Sequence, residues 1–266
     1  MINEALRRIV SQAKAIILDI EGTIASIDFT RKEAFPYVES HIEDYIMKNW
    51  DEVKNTLSLI QQQFVLDSKE ISNDVVQLPS VPTSENIEVE KCQSAVIGYV
   101  KHQMKNNRND PAMKQIQGLA LQNAFRNGDI LAHIYSDAIK ALKIWADESK
   151  LIYTYSTGSR ATQVEYFKHT ILGDLSNFIK GYFDTSVGSK LECEGFKFIC
   201  SSAEVDPSEV VFFSDRPKEI IAAKKCGLKA ILVDRESEIS LIREEQDFLG
   251  HEDGKISSFT EILSDS

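Results

Sequence analysis

The chain has 266 residues, of which 42% are hydrophobic and 27% charged, and its formal net charge is −11. This composition is typical of a globular protein with a sizeable core, and the negative charge argues against nucleic acid or an anionic membrane surface as the main partner. No stretch approaches the roughly 20 apolar residues of a membrane span, and the first residues do not resemble a signal peptide. Because no cysteine pair has metal-ligand spacing, we expect reduced thiols in a cytosolic protein at Cys92, Cys193, Cys200 and Cys226.

The first half of the chain predicts one strand followed by a long helical block. Residues 2–12 predict a short outer helix, and the apolar run 15–18 predicts a buried strand at about 14–19. Apolar residues then recur at three- and four-residue steps, which predicts helices. One of them is expected around Val53 to Phe64, and another begins at Asp110-Pro111 and ends near Gly128. Two prolines and several turn formers predict a loop over 72–84. We therefore expect an all-helical insertion over 26–129.

The second half of the chain predicts strands that alternate with helices. Helices are expected at about 133–148, 160–170, 194–204 and 217–226, and strands at 151–155, 210–213 and, as the last strand, 230–233. A short extended segment is expected over 183–187, and the acidic run 236–245 predicts a solvated helix face. Such alternation predicts right-handed βαβ crossovers and a parallel sheet. The fold class is thus α/β, with a doubly wound core from 1–25 and 130–266 and the helical block as a cap over the strand ends.

Polar side chains stand at the ends of three of the predicted strands, and Lys190 lies on a loop between the last two of them. The carboxyl ends of parallel strands meet at the same edge of a sheet, so we expect these side chains to converge there. Each residue alone has an ordinary explanation, such as a helix cap or a solvated lysine. Their consistent order favours a site made of Asp19, Glu21, Ser156, Thr157, Lys190 and Asp215.

These residue types suit phosphoryl transfer. Asp19 is the candidate nucleophile, which would form an aspartyl-phosphate, and Glu21 is the candidate proton carrier. Oxygen ligands from Asp19, Asp215 and a backbone carbonyl suit Mg²⁺, which keeps several waters and accepts substrate phosphate. The remaining groups offer hydroxyl, backbone N–H and cationic contacts to phosphate: Ser156, Thr157 and Lys190.

At these motifs the chain resembles the haloacid dehalogenase-like phosphohydrolases. The spelling Asp-Ile-Glu-Gly-Thr at 19–23, Tyr-Ser-Thr-Gly-Ser at 155–159 and Gly-Ser-Lys at 188–190 resembles, more narrowly, the enolase-phosphatases (acireductone synthases) of methionine salvage. The resemblance implies a monomeric cytoplasmic enzyme, in eukaryotes also nuclear, with one Mg²⁺ per subunit. Its expected substrate is a small phosphorylated diketone, 2,3-diketo-5-methylthiopentyl-1-phosphate, which it would enolise and dephosphorylate to acireductone.

The resemblance also implies roles for individual residues. It assigns Asp19, Glu21 and Asp215 to the metal, with Glu21 reaching it through its backbone carbonyl, and it assigns Ser156, Thr157 and Lys190 to substrate. The sequence departs from the family pattern at Thr157, Leu121, Gly195-Phe196 and the segment around Glu236.

Two alternatives stay open from the sequence. One is a related phosphatase for another small phosphate ester, and the other is a non-catalytic binding or scaffold protein on the same fold. The sequence does not identify the base for enolisation uniquely, and Glu21 is the candidate.

Overall fold

A computed structural model describes residues 2–70, 89–106, 110–236 and 254–263. The chain divides into two compact units, one made of residues 1–30 and 131–266 and the other of residues 31–130. The predicted loop over 72–84 and residues 237–245 of the acidic run lie outside the described residues. No helix in the described ranges is both long and apolar enough to cross a membrane.

The first unit is built on a parallel sheet. Its six strands are β1 (Ala15–Leu18), β2 (Leu151–Ser156), β3 (Gly181–Asp184), β4 (Val210–Ser214), β5 (Lys229–Val233) and β6 (Lys255–Ile256), in the order β3-β2-β1-β4-β5-β6. Every pairing between neighbours is parallel. Strand β1 is central and wholly buried, as its unbroken apolar run predicts. The predicted doubly wound α/β core is confirmed.

Ten α-helices are present in the described residues. They are α1 (Ile2–Gln12), α2 (Phe35–Lys48), α3 (Trp50–Val53), α4 (Leu57–Glu70), α5 (Val89–Lys105), α6 (Pro111–Asn127), α7 (Ser136–Asp147), α8 (Arg160–Lys168), α9 (Cys193–Ala203) and α10 (Pro217–Lys225). Helices α2 to α6 belong to the second unit. The others belong to the unit with the sheet, where Trp145 of α7 stacks on Phe213 of β4 with ring centroids 5.6 Å apart.

The second unit contains only helices in its described residues, so the predicted helical insertion is confirmed. Its core includes Ile42 of α2, Ile60 of α4 and Val100 of α5. Helix α6 begins at Pro111 and ends before Gly128, as its sequence predicts, and the Asp110 side chain caps it by accepting a hydrogen bond from the Met113 N–H at 3.0 Å.

Three predictions about local structure are wrong. The helix expected around Val53 to Phe64 is divided, because a 3-10 turn over Lys54–Thr56 separates α3 from α4. Val187 lies in a 3-10 turn, Thr185–Val187, rather than in an extended segment. The strand at 230–233 is not the last, because β6 follows it.

The expectation of reduced thiols is also wrong for two cysteines. A disulfide links Cys193 to Cys226, which are 33 residues apart in sequence and have Cα atoms 5.2 Å apart. Cys193 begins α9 and Cys226 follows α10, and these two helices pack against each other. The pairing therefore depends on tertiary packing, which no local cysteine spacing reports. Cys92 and Cys200 are free thiols.

Candidate active site

The tight turn after β1 brings the carboxylates of Asp19 and Asp215 together. Asp19 is the first residue after the strand, and the Ile20 carbonyl accepts hydrogen bonds from three N–H groups of the turn, those of Thr23, Ile24 and Ala25. Gly22 adopts φ +78°, and a Cβ there would lie 2.4 Å from Oδ2 of Asp215. Glycine is needed at this position both for the backbone conformation and for the close approach of Asp215.

Lys190 lies between two carboxylates. Its Nζ is 2.6 Å from Oδ1 of Asp19 and 2.7 Å from Oε2 of Glu219. Lys190 is 4% exposed and Glu219 is 3% exposed, so the reading of Lys190 as a solvated surface lysine is wrong. Burial alone would lower the pKa of Lys190, but the charges and hydrogen bonds of Asp19 and Glu219 raise it above its usual value. Lys190 is therefore a buried, ordered cation in contact with Asp19.

Glu219 was not identified from the sequence. It lies in the first turn of α10, and Ser214 at the end of β4 donates a hydrogen bond to its Oε2 at 2.8 Å. Burial first, then the charge of Asp19, raises the pKa of Glu219, while Lys190 and Ser214 act in the opposite direction. An acid four residues after Asp215, directly before the buried Ile220, was the available signal.

Thr23 connects Asp19 with Asp215. Its hydroxyl donates to Oδ2 of Asp19 at 3.4 Å and accepts from the backbone N–H of Asp215 at 3.0 Å. Oδ1 of Asp215 is buried and has no hydrogen-bond partner among the described residues. Burial, followed by the negative charge of Asp19, raises the pKa of Asp215 to about 7. The positive charge of Arg216 opposes this rise only in part, and within the described ranges Oδ1 of Asp215 stays an unsatisfied acceptor beside Asp19.

These features fit a bound divalent cation. An unpaired carboxylate oxygen beside a second carboxylate is costly, and a hard cation with oxygen ligands such as Mg²⁺ would offset that cost. Within the described ranges, no group of three or more His, Cys, Asp or Glu side chains is arranged to hold a metal. A ligand set of two carboxylates and a backbone carbonyl needs only two such side chains, so the residues present are compatible with Mg²⁺.

The charge of Asp19 also acts on Glu21, although Glu21 is exposed. Displacement of water from around its carboxyl, followed by the charge of Asp19, raises the pKa of Glu21, and a hydrogen bond with Thr30 partly opposes this. A raised pKa increases the protonated fraction of Glu21 near neutral pH, which suits a group that donates a proton.

Ser156 is the last residue of β2 and Thr157 follows it, at the same edge of the sheet. Thr154 pairs with Leu18, so Ser156 lies two residues further along that edge. Ser156 is buried and its Oγ accepts from the Gly158 N–H at 3.3 Å, whereas Thr157 is exposed. Neither caps α8, because that position belongs to Ser159.

Comparison with known proteins agrees with this architecture. Residues 13–227 match the family of haloacid dehalogenase-like hydrolases. The chain is 36% identical to enolase-phosphatase E1 of Anopheles gambiae over 244 residues, which cover 91% of this chain and 81% of that protein. It is 34% identical to enolase-phosphatase E1 of Caenorhabditis elegans over 252 residues, which cover 95% and 98%. The crystal structure of the UTR4 protein of Saccharomyces cerevisiae matches with a TM-score of 0.63 and 27% identity, over 87% of this chain and 94% of that one.

The chain therefore belongs to the haloacid dehalogenase-like hydrolases. Within that class it is a member of the enolase-phosphatases, as its motifs predict. It is thus an enzyme, and the resemblance found in the sequence is confirmed. Hydrolases of this family generally use Mg²⁺, in agreement with the oxygen-rich site.

Proposed function

We propose that the chain enolises 2,3-diketo-5-methylthiopentyl-1-phosphate and then removes its phosphate, which yields the acireductone 1,2-dihydroxy-3-keto-5-methylthiopentene in L-methionine salvage. The observation that carries the proposal is the contact of Asp19 with the buried Lys190, beside an Asp215 whose Oδ1 is unpaired. The names of the related enolase-phosphatases support the choice of substrate.

Asp19 is the nucleophile in this proposal. One of its oxygens contacts Lys190 at 2.6 Å and the other contacts the Thr23 hydroxyl at 3.4 Å, so two partners restrict rotation of the carboxylate. Restricted rotation favours in-line attack on phosphorus, which forms an aspartyl-phosphate and releases the substrate oxygen. The charge of Lys190 offsets the negative charge of the transferring phosphoryl group.

Glu21 carries protons in both half-reactions. Its raised pKa increases the fraction that carries a proton, and this form can protonate the leaving oxygen. The resulting carboxylate then takes a proton from the water that hydrolyses the aspartyl-phosphate. We assign the same side chain as the base that removes the proton next to the substrate carbonyl during enolisation.

The other site residues hold the phosphate and the metal. Asp19, Asp215 and the backbone carbonyl of Glu21 would bind one Mg²⁺ per subunit, and the ion would supply positive charge to the phosphoryl oxygens. The Ser156 and Thr157 hydroxyls bind phosphate oxygens at the carboxyl edge of the sheet, together with Lys190.

The proposal extends to organisation and location. The helical insertion, expected over 26–129, acts as the cap that selects the substrate, and the protein works as a monomer in the cytoplasm and, in a eukaryote, also in the nucleus. Disulfides are rare in the cytosol, so a Cys193–Cys226 bond that is oxidised in the cell would count against a cytoplasmic location. Thiol labelling of the protein in freshly lysed cells measures whether the pair is oxidised there.

The deciding experiment follows acireductone absorbance and phosphate release together from the diketo phosphate. We expect Asp19→Asn to abolish phosphate release while the enol intermediate accumulates, and Glu21→Gln to lose both half-reactions. Asp44→Asn is the control, because its ion pair with Lys48 is exposed on α2.

Three results would overturn parts of this proposal. Full phosphate release by Asp19→Asn would exclude Asp19 as the nucleophile. Accumulation of the enol with Glu21→Gln would exclude Glu21 as the enolisation base. Release of phosphate from other esters but not from the diketone would identify a phosphatase of different specificity.

A further inference from the structure

The Lys190 loop, defined here as residues 188–192, connects the 3-10 turn after β3 to α9. It is attached at its first residue to the core of the sheet. The Tyr155 hydroxyl on β2 donates a hydrogen bond to the Gly188 carbonyl at 2.8 Å. Tyr155 is wholly buried, and burial raises the pKa of its hydroxyl further above its usual value, so the hydroxyl stays protonated and remains a donor. The buried Tyr155 side chain therefore fixes the first residue of the loop.

Two glycines make this contact possible. A Cβ at Gly195 would lie 2.0 Å from the Tyr155 hydroxyl oxygen, so any side chain at 195 would occupy the space of the hydroxyl. A Cβ at Gly188 would lie 2.6 Å from the Gly195 nitrogen, and Gly188 has φ +139°. The first turn of α9, the start of the Lys190 loop and the Tyr155 hydroxyl therefore pack together with no side chain between them.

The aromatic ring of Tyr155 also lies near the ammonium group that the loop carries. Lys190 Nζ is 5.8 Å from the centroid of Tyr155 and 5.8 Å from that of Phe212. Phe196 packs edge-on against Tyr155, with centroids 5.4 Å apart, which limits the orientations of the Tyr155 ring. A cation within about 6 Å of a ring face is attracted to it.

We propose that Tyr155 is a positioning residue for phosphoryl transfer. Its hydroxyl fixes the Lys190 loop, and its ring attracts the Lys190 ammonium to the position where the ammonium contacts Asp19. The proposal rests on the proposed function to the extent that Lys190 is a working group of that reaction. An ordinary core role for Tyr155 would alter stability but would not act through Lys190. The two roles can be separated by asking whether the effect of Tyr155 requires Lys190.

The test is a double-mutant cycle with Tyr155→Phe and Lys190→Met. Tyr155→Phe keeps the ring and removes only the hydroxyl, which leaves the half-buried Gly188 carbonyl without its donor. We expect kcat/KM for phosphate release to fall about tenfold in the wild-type background, the size expected for one lost hydrogen bond. In the Lys190→Met background the same substitution should change kcat/KM less than twofold, because no ammonium group remains to be positioned.

Tyr153→Phe is the matched control, because it removes a hydroxyl from the same face of β2. We expect it to leave kcat/KM within twofold of wild type. Gly195→Ala perturbs the contact from the other side, and its loss of activity should be smaller in the Tyr155→Phe background, where the hydroxyl that the new methyl group meets is gone. Equal losses from Tyr155→Phe with and without Lys190, or no loss in the wild-type background, would overturn the proposal.

Crystal structures of the wild type and Tyr155→Phe decide the same question without turnover. We expect the variant to lose the 2.6 Å contact between Lys190 and Asp19 through a shift of the Lys190 loop. An unchanged loop and contact would overturn the positioning role. A wild type that releases no phosphate from the diketo phosphate or from p-nitrophenyl phosphate would instead overturn the proposed function, and the crystallographic comparison would still decide the role of Tyr155.

Discussion

Replacement of Glu219 by glutamine should weaken both the fold and the catalytic site. The glutamine oxygen can still accept a hydrogen bond from Lys190, so the substitution removes charge while it keeps shape. Lys190 Nζ and Glu219 Oε2 are 2.7 Å apart and both side chains are 4% exposed. A hydrogen bond to a charged group contributes about 1.5–3 kcal/mol. Because glutamine keeps a weaker form of this bond, we expect the free energy of unfolding to fall by at most that amount, as measured by urea denaturation at neutral pH.

The same substitution should lower activity. Without the charge of Glu219, Asp19 is the only carboxylate in the described part of the chain that the Lys190 ammonium contacts, so the ammonium attracts the Asp19 charge more strongly and makes that carboxylate a weaker nucleophile. A change of about 1.4–2.7 kcal/mol in the barrier corresponds to roughly 10- to 100-fold in kcat/KM, measured by phosphate release. Glu209→Gln is the control, because its ion pair with Lys14 is also 2.7 Å long but 65% and 35% exposed, and exposed pairs contribute only about 0–1 kcal/mol. Equal effects of the two substitutions on stability and kcat/KM would refute the reasoning.

Two further predictions concern stability. Cys193→Ser removes a cross-link between residues 33 apart, so the oxidised wild type should exceed this variant by about 3–4 kcal/mol in free energy of unfolding, a difference that dithiothreitol should abolish. Burial alone would raise the pKa of Asp137, but hydrogen bonds from Arg235, the Phe259 N–H and Ser258 lower it overall. The resulting stabilisation is fully present above the unfolded pKa of about 3.9 and is lost as the pH falls through the lower folded value. Denaturation curves from pH 7 to pH 3 should therefore show the advantage of wild type over Asp137→Asn shrinking below about pH 4.

The controls for these predictions come from the same chain. Cys92→Ser removes a thiol that is not cross-linked and should leave the response to dithiothreitol unchanged. A stability difference between wild type and Asp137→Asn that is constant over the whole pH range would show that packing, rather than the charge of Asp137, is responsible.

The elements that the sequence predicts well are those whose signal is local. The apolar run of β1 has no polar interruption, and α6 carries both a capping aspartate and a terminal glycine. Strand β6 escaped detection because two residues are too few to show alternation. The break between α3 and α4 lies within an unbroken helical period, and Thr56 there donates its hydroxyl to the Val53 carbonyl at 2.7 Å. Such a bond competes with regular helix but leaves no pattern in the sequence.

The candidate site divides in the same way. The meeting of Asp19 and Asp215 follows from the parallel pairing of the strands that they follow, and the order of the motifs along the chain predicts the Lys190 loop at the same edge. Glu219 and Tyr155 were missed because their contribution depends on tertiary contacts: Glu219 lies on an otherwise apolar face of α10, and Tyr155 is one aromatic residue in a buried strand. The disulfide was missed for the same reason.

The central position of β1 has a consequence for how the chain is made. Ala15 pairs with Leu151 on one side and with Val210 on the other. Strand β1 is synthesised before the other five strands of the sheet, so its pairing is complete only after both β2 and β4 have been made. At about 5–20 residues per second, synthesis reaches β4 roughly 10–40 s after β1. During that interval an entirely apolar strand has two unpaired edges, which are templates for wrong association. Residues 31–130 form a contiguous unit that is complete before β2 begins, so the order of the gene allows the helical insertion to fold while the sheet is still waiting for its partners.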